Sequence, residues 1–145
     1  MPSSLSRSRG FTLIEIMVVM VIIAILGALI GPQILGRVDE ARTTKAQSDI
    51  RTLGTALDLY RMDNFQYPTT DQGLRALIEQ PNDPSVRNWK SGGYVQKLSK
   101  DPWGNDYQYL SPGTRGGAYD LWSYGSDGRP GGEGTAADIG NWNID

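Results

Sequence analysis

The residues whose placement in this chain suggests chemistry are carboxylates. The 145 residues contain neither histidine nor cysteine. That removes the usual general base, the Ser-His-Asp and Cys-His arrangements, and the nitrogen and sulfur ligands of zinc. An enzymatic role is therefore not expected. Two placements of acidic residues stand out. Glu15 is the single charge in an otherwise apolar run that starts at Phe11, and Asp127 and Asp138 bracket a segment with glycines at 125, 128, 131, 132 and 134. A carboxylate within a membrane span costs about 2.5–3.5 kcal/mol on insertion scales, so it is kept only with a partner or a task. Aspartates among glycines, where backbone carbonyls are free to turn inward, suit a hard cation such as calcium, which takes about six to eight oxygen ligands.

The spacing of the second group is not that of an EF-hand, which places ligands at alternate positions and closes with a glutamate. Nor is it a phosphate loop, since no Gly-Lys-Ser/Thr follows. Read from spacing alone, the segment is either a calcium site or a plain surface connection. The absence of disulfides favours the ion, because a bound metal contributes folding free energy in their place.

The elements that position these groups follow from hydrophobic patterning. As a helix, residues 11–35 are long enough to cross a hydrocarbon core of about 30 Å. The leader in front, residues 1–10, is rich in serine and carries Arg7 and Arg9, which keeps it cytoplasmic and sends the rest of the chain outward. A removable secretory signal would place its small residues beyond the apolar core, whereas here Gly10 precedes it. Spacing alone leaves cleavage behind Ala28 or Gly31 as the alternative, and the length of the segment and its unbroken run into an amphipathic helix favour an anchor. Pro32, after Gly31, removes a backbone donor and is expected to kink or locally unwind the helix. From Arg37 the charges return, while Ala46, Ile50, Leu53, Leu57 and Tyr60 recur at three- and four-residue steps. This describes one helix from about Phe11 to Met62, roughly 75 Å long, with an apolar stripe on its second half that packs a domain core.

Residues 36–145 are enough for one small domain with one core. Thr69-Thr70-Asp71-Gln72 offers a capping-box start for a short helix to about Glu79. Residues 85–100 read as an irregular loop pinned by Trp89 and Tyr94. Residues 107–110 and 118–124 alternate with period two and are joined by a glycine-rich loop, which predicts an antiparallel hairpin laid against the helix stripe. A further short strand is expected near Trp103 or Trp142. All four tryptophans lie in this part of the chain, so a core of large aromatics is expected. The fold class is α+β. No basic patch is interleaved with aromatics, so a nucleic-acid partner is not expected.

Gly10-Phe11-Thr12-Leu13-Ile14-Glu15 resembles the type III signal of type IV pilins and pseudopilins. The resemblance implies that a prepilin peptidase cuts between Gly10 and Phe11 and methylates the amine of Phe11. Without Arg7 and Arg9, the formal charge of −2 becomes about −4. It also implies that Glu15 pairs with the freed amine of an adjoining subunit. Such a pair is satisfied at only one axial offset and so sets register.

Across nearly the whole chain, Tyr67-Pro68-Thr69-Thr70-Asp71-Gln72-Gly73-Leu74, Asp101-Pro102-Trp103-Gly104 followed by Tyr107, Tyr119-Asp120-Leu121, Gly125-Ser126-Asp127-Gly128 and Asp138-Ile139-Gly140-Asn141-Trp142 resemble the major pseudopilins of type II secretion systems. The pattern departs from that family at Ser99, where proline is frequent, outside these motifs. The resemblance implies a type IV pilin-like fold with an αβ-loop and a C-terminal calcium loop. In that loop Asp127 and Asp138 would supply side-chain ligands and Tyr124 a backbone carbonyl, with Glu133, Thr135 and Ala137 as further candidates.

It further implies a single-pass protein of the bacterial inner membrane with its C-terminal domain in the periplasm. Copies polymerise with minor pseudopilins on an inner-membrane assembly platform driven by a cytoplasmic ATPase. The filament helps move folded exoproteins through the outer membrane. A type IV pilus subunit, a minor pseudopilin and a membrane-anchored monomeric calcium-binding domain share parts of the pattern. The lack of cysteine counts against the first and the presence of Glu15 against a tip subunit.

Overall fold

The computed structural model describes residues 10–144. The leader expected over residues 1–10 therefore lies, apart from Gly10, outside the described residues. One helix dominates. α1 spans Leu13–Asn64, starting two residues later and ending two residues later than the apolar pattern suggested. The chain divides into two compact units that part between Val38 and Asp39, within this helix.

Among the described residues of the first unit none is buried. From residue 11 to residue 30 every side chain is exposed, including Ile16, Val19, Ile22, Ile23, Leu26 and Ile30. The residues are apolar on all faces, the pattern of a helix meant for lipid or for a bundle of like helices. Of the kink or local unwinding expected at Pro32, the unwinding does not occur: the helix is continuous through that residue. Proline removes one hydrogen bond, while the turns on either side keep theirs, and in apolar surroundings a freed backbone group would be more costly than a strained turn.

The second unit is built on the rest of α1. Ala46, Ile50, Leu53, Ala56, Leu57 and Tyr60 are buried and form one core with Leu74, Leu77, Val86, Tyr107, Leu121 and Ile139. The helix stops at Phe65, whose left-handed backbone (φ 63°) ends the helical path while its N–H still reaches the Arg61 carbonyl at 2.7 Å.

The expected second helix is reduced to a turn. The capping box forms, with the Gln72 N–H on Thr69 Oγ1 at 3.3 Å and the Thr69 N–H on Gln72 Oε1 at 3.1 Å. Gly73 then adopts φ 58°, and only a 3₁₀ turn, Leu74–Leu77, follows. The left-handed glycine is what prevents the α-helix from propagating. The loop over 85–100 is pinned as its aromatics suggested. Trp89 Nε1 donates to the Ala76 carbonyl at 2.7 Å, and the Tyr94 hydroxyl donates to Asp63 Oδ2 at 2.9 Å.

β1 (Gln108–Leu110), β2 (Asp120–Ser123) and β3 (Ile139–Gly140) form an antiparallel sheet in the order β1-β2-β3. β2 pairs Trp122 with Gln108 on one side and with Gly140 on the other. The third strand lies just before Trp142, and both hairpin strands are shorter than the alternation suggested. The sheet is tied to the helix by the Tyr107 hydroxyl, which donates to Asp49 Oδ2 at 2.8 Å.

The core differs from expectation in its chemistry. Its fully buried side chains are Ile50, Leu57, Tyr60, Leu77 and Leu121, whereas all four tryptophans are only half-buried. The Trp89 indole N–H finds the Ala76 carbonyl at the rim of the core, whereas the Trp103 N–H is buried without a partner.

Candidate functional site

Two groups of residues carry the candidate chemistry, one in each unit. At the start of α1, Gly10 and Phe11 precede the helix in non-helical backbone and are exposed. Thr12 is the N-cap. Glu15 Oε2 accepts the Thr12 N–H at 2.8 Å, and Thr12 Oγ1 accepts the Glu15 N–H at 3.3 Å. This is a reciprocal capping box, which satisfies two amides that the first turn would otherwise leave unpaired.

The sequence reading assigned Glu15 a role and missed Thr12. The signal was present, since Thr12-Leu13-Ile14-Glu15 ahead of an apolar run has the capping-box spacing. The box gives Glu15 a local partner in the isolated chain. A carboxylate has about four acceptor positions, so capacity remains for a second donor.

The second group lies in the connection between β2 and β3. Pairing of Ser123 with Ile139 closes residues 124–138 into a loop. Within it, Gly125–Asp127 and Gly134–Ala136 form 3₁₀ turns packed on each other. Tyr124 caps the first turn. Asp127 ends that turn, with Oδ1 accepting the Arg129 N–H at 3.0 Å. Asp138 Oδ2 accepts the Gly131 N–H at 3.1 Å, while its Oδ1 is buried without a hydrogen-bond partner. Glu133 is exposed, and its carbonyl accepts the Ala136 N–H at 3.1 Å.

The carbonyls of Thr135 and Ala137 converge. Both oxygens stand 2.7 Å from the point where a side chain on Gly125 would begin, and Gly125 holds φ 72°. Any larger residue there would collide with both oxygens and strain the backbone. No cluster of three or more His, Cys, Asp or Glu side chains exists among the described residues. A cation in this loop would therefore depend on backbone carbonyls with one or two carboxylates. That donor set suits calcium and suits zinc or a softer metal poorly. Asp138 Oδ1, buried without a partner, belongs to the same loop as these carbonyls, and a buried carboxylate oxygen is costly to leave unpaired.

Burial shifts several tyrosines of the second unit. Tyr60 and Tyr119 are each pushed up to about 12, mainly by loss of solvent around the phenol. Tyr107 is raised further by burial and by the neighbouring Asp49 carboxylate. None of these groups lies in the 124–138 loop.

A helix apolar on every face with a capped acidic first turn, continuing into a small α+β unit, defines a pilin-like subunit. Comparison with known proteins supplies the particular family. A model of type II secretion system protein G matches residues 33–142, and a model of the prokaryotic N-terminal methylation motif matches residues 5–31. The chain is 56% identical over 138 residues to type II secretion system core protein G of Vibrio cholerae, covering 95% of this chain and 94% of that one. To the protein of the same name from Pseudomonas aeruginosa it is 56% identical over 137 residues, covering 94% and 96%. A crystal structure of the major pseudopilin from the type 2 secretion system of enterohaemorrhagic Escherichia coli superposes with a TM-score of 0.67 at 47% identity, covering 76% of this chain and 94% of that one. The chain belongs to the type II secretion system protein G family.

Proposed function

We propose that this protein is a structural subunit of the periplasmic pseudopilus of a type II secretion system, and that it polymerises through residues 11–35. The observation that carries the proposal is the complete exposure of an all-apolar helical segment headed by a single carboxylate. In a bilayer such a segment is at rest. Once drawn out of lipid, it has to bury that surface against like helices, because water does not tolerate so large an apolar face. Before assembly, residues 11–35 hold the subunit in the inner membrane with Asp39–Asp145 in the periplasm.

Cleavage after Gly10 leaves Phe11 with a free, methylated amine. Glu15 accepts that amine from a neighbouring subunit with the acceptor capacity its capping bond leaves unused, and the pairing fixes axial register. Copies of the chain, minor pseudopilins, a prepilin peptidase and an inner-membrane assembly platform are the partners this role requires. The role is structural and calls for no catalytic group.

In the loop, Asp127 and Asp138 supply carboxylate oxygens and Tyr124, Thr135 and Ala137 supply carbonyls for one calcium ion. Bound there, the ion adds folding free energy where other exported domains use a disulfide. Glu133 stands as a rim ligand or none.

The processing step is tested by co-expressing the full chain with a prepilin peptidase and measuring its intact mass. Loss of residues 1–10 with gain of one methyl group is expected. A chain that keeps its leader, or is cut beyond the apolar segment, would contradict the proposal.

A further inference from the structure

Asp101 is a buried carboxylate outside the loop whose hydrogen-bond partners, Ser123 and Asn105, stand at the two ends of the loop's first turn. It is 4% exposed. Oδ1 accepts the N–H groups of Trp103 at 3.0 Å and Asn105 at 2.8 Å, and the Asp101 N–H donates to the Asn105 carbonyl at 2.8 Å. Residues 101–105 are thereby wound into a closed turn around this one side chain.

From that turn two contacts reach the loop. Asp101 Oδ2 accepts the Ser123 hydroxyl at 2.6 Å, and Ser123 Oγ, itself fully buried, accepts the Gly125 N–H at 3.1 Å. Gly125 is the residue against which the Thr135 and Ala137 carbonyls converge. At the other end of the same 3₁₀ turn, the Asn105 side-chain amide lies 3.2 Å from where a side chain on Gly128 would begin. Gly128 holds φ 64°, a conformation glycine adopts freely, and a side chain there would crowd Asn105. Asp127 sits between these two fixed points.

We propose that Asp101, acting through Ser123 and Asn105, is a positioning residue for the calcium loop, and that it fixes the turn that carries Asp127 against the Thr135 and Ala137 carbonyls. This rests on the calcium reading given above. Hydrogen bonds that orient ligands from outside a metal site typically change affinity by about 10–100-fold when removed. Asp101 contributes no ligand. Its contribution is to hold in place, before the ion arrives, a loop whose glycines would otherwise sample many conformations.

The test uses the full chain in detergent micelles, with calcium chloride as the probe. Calcium affinity is measured by titration calorimetry, and melting is followed in calcium and in chelator. Asp101→Asn and Ser123→Ala are expected to weaken calcium binding by about tenfold or more and to shrink the calcium-induced rise in Tm. Ile50→Val trims the core without touching the turn. It is expected to lower Tm equally in both buffers and to bind calcium as the wild type does. Ser123→Ala removes one hydroxyl and keeps the test valid should Asp101→Asn fail to fold. Wild-type affinity in Ser123→Ala, with Tm lowered equally in both buffers, would reduce the relay to ordinary packing and overturn the inference alone. A wild-type chain that shows neither binding nor a Tm rise would overturn the calcium reading together with it.

Discussion

The two halves of α1 are one element by backbone and two by side chain. Up to Pro32 the helix, Glu15 apart, is apolar on every face, and up to Val38 it buries nothing. From Asp39 it carries charges on its outer faces and buries a stripe of seven residues from Ala46 to Asn64. The same hydrogen-bonded path thus serves two solvents. The first half leaves its apolar surface unpaired within the subunit, so it has to be covered by lipid or by other copies. The second half pairs its stripe within the subunit and becomes the spine of a small domain. Helix formation says little about what a helix does, and the distribution of apolar side chains around it says most of it.

That contrast yields measurements of decreasing size. Leu57→Ala should destabilise the full chain in micelles by about 2–5 kcal/mol, because it empties a fully buried position. Leu26→Ala should leave the same denaturant curve unchanged, since Leu26 is an exposed side chain on the apolar half of the helix. Equal effects of the two would break the comparison. Within the second unit, Asp127→Ala and Asp138→Ala should lose a calcium-dependent increment of about 2.7 kcal/mol when calcium stands a hundredfold above its Kd, and should melt close to wild type in chelator.

Smaller still is the cap. Thr12→Ala should cost about 1 kcal/mol at the first turn, read as faster hydrogen exchange of the amides that open α1, with melting of the second unit unmoved. The tyrosines give the least effect near neutrality and a defined one at high pH. Tyr60 and Tyr119 hold their protons more tightly when folded, being pushed up to about 12. Their contribution is therefore complete below the unfolded value of about 10 and is lost as pH rises through about 12. Tm should be flat from neutrality toward pH 10 and fall above it. Far-UV dichroism of the first half, which contains no tyrosine, should not follow that fall.

How much of this was legible in the sequence depended on the range of the interactions involved. The stripe from Ala46 to Tyr60 was readable because helical period alone places those residues on one face, and the structure buries every one of them. The Thr69–Gln72 box was readable for the same reason, being local. The reach of the helix beyond it was not, because Gly73 adopts a left-handed conformation that composition does not announce. At Pro32 the sequence signalled a kink or an unwound turn, and the turns on either side keep the helix continuous.

The short strands show the opposite limit. β3 is two residues long and exists only because β2 is beside it, so no local period could place it. In the loop, Asp127 and Asp138 stood out as acids among glycines. The convergence of the Thr135 and Ala137 carbonyls on Gly125 is a property of the folded backbone that side-chain types do not encode. Asp101 and Ser123 are 22 residues apart and meet only in the folded chain. Thr12 was the one omission with a plain signal, four residues long and sitting at the start of the helix.

The central claim is that residues 11–35 assemble the filament in a register set by Glu15. The most direct measurement is electron microscopy of filaments produced from the full chain with its assembly machinery, comparing wild type with Glu15→Ala and following the melting of both. The account predicts abundant filaments from wild type and few or none from Glu15→Ala, with the second unit melting identically in the two. Normal filaments from Glu15→Ala would contradict it and leave Glu15 as a cap for its own helix and nothing more.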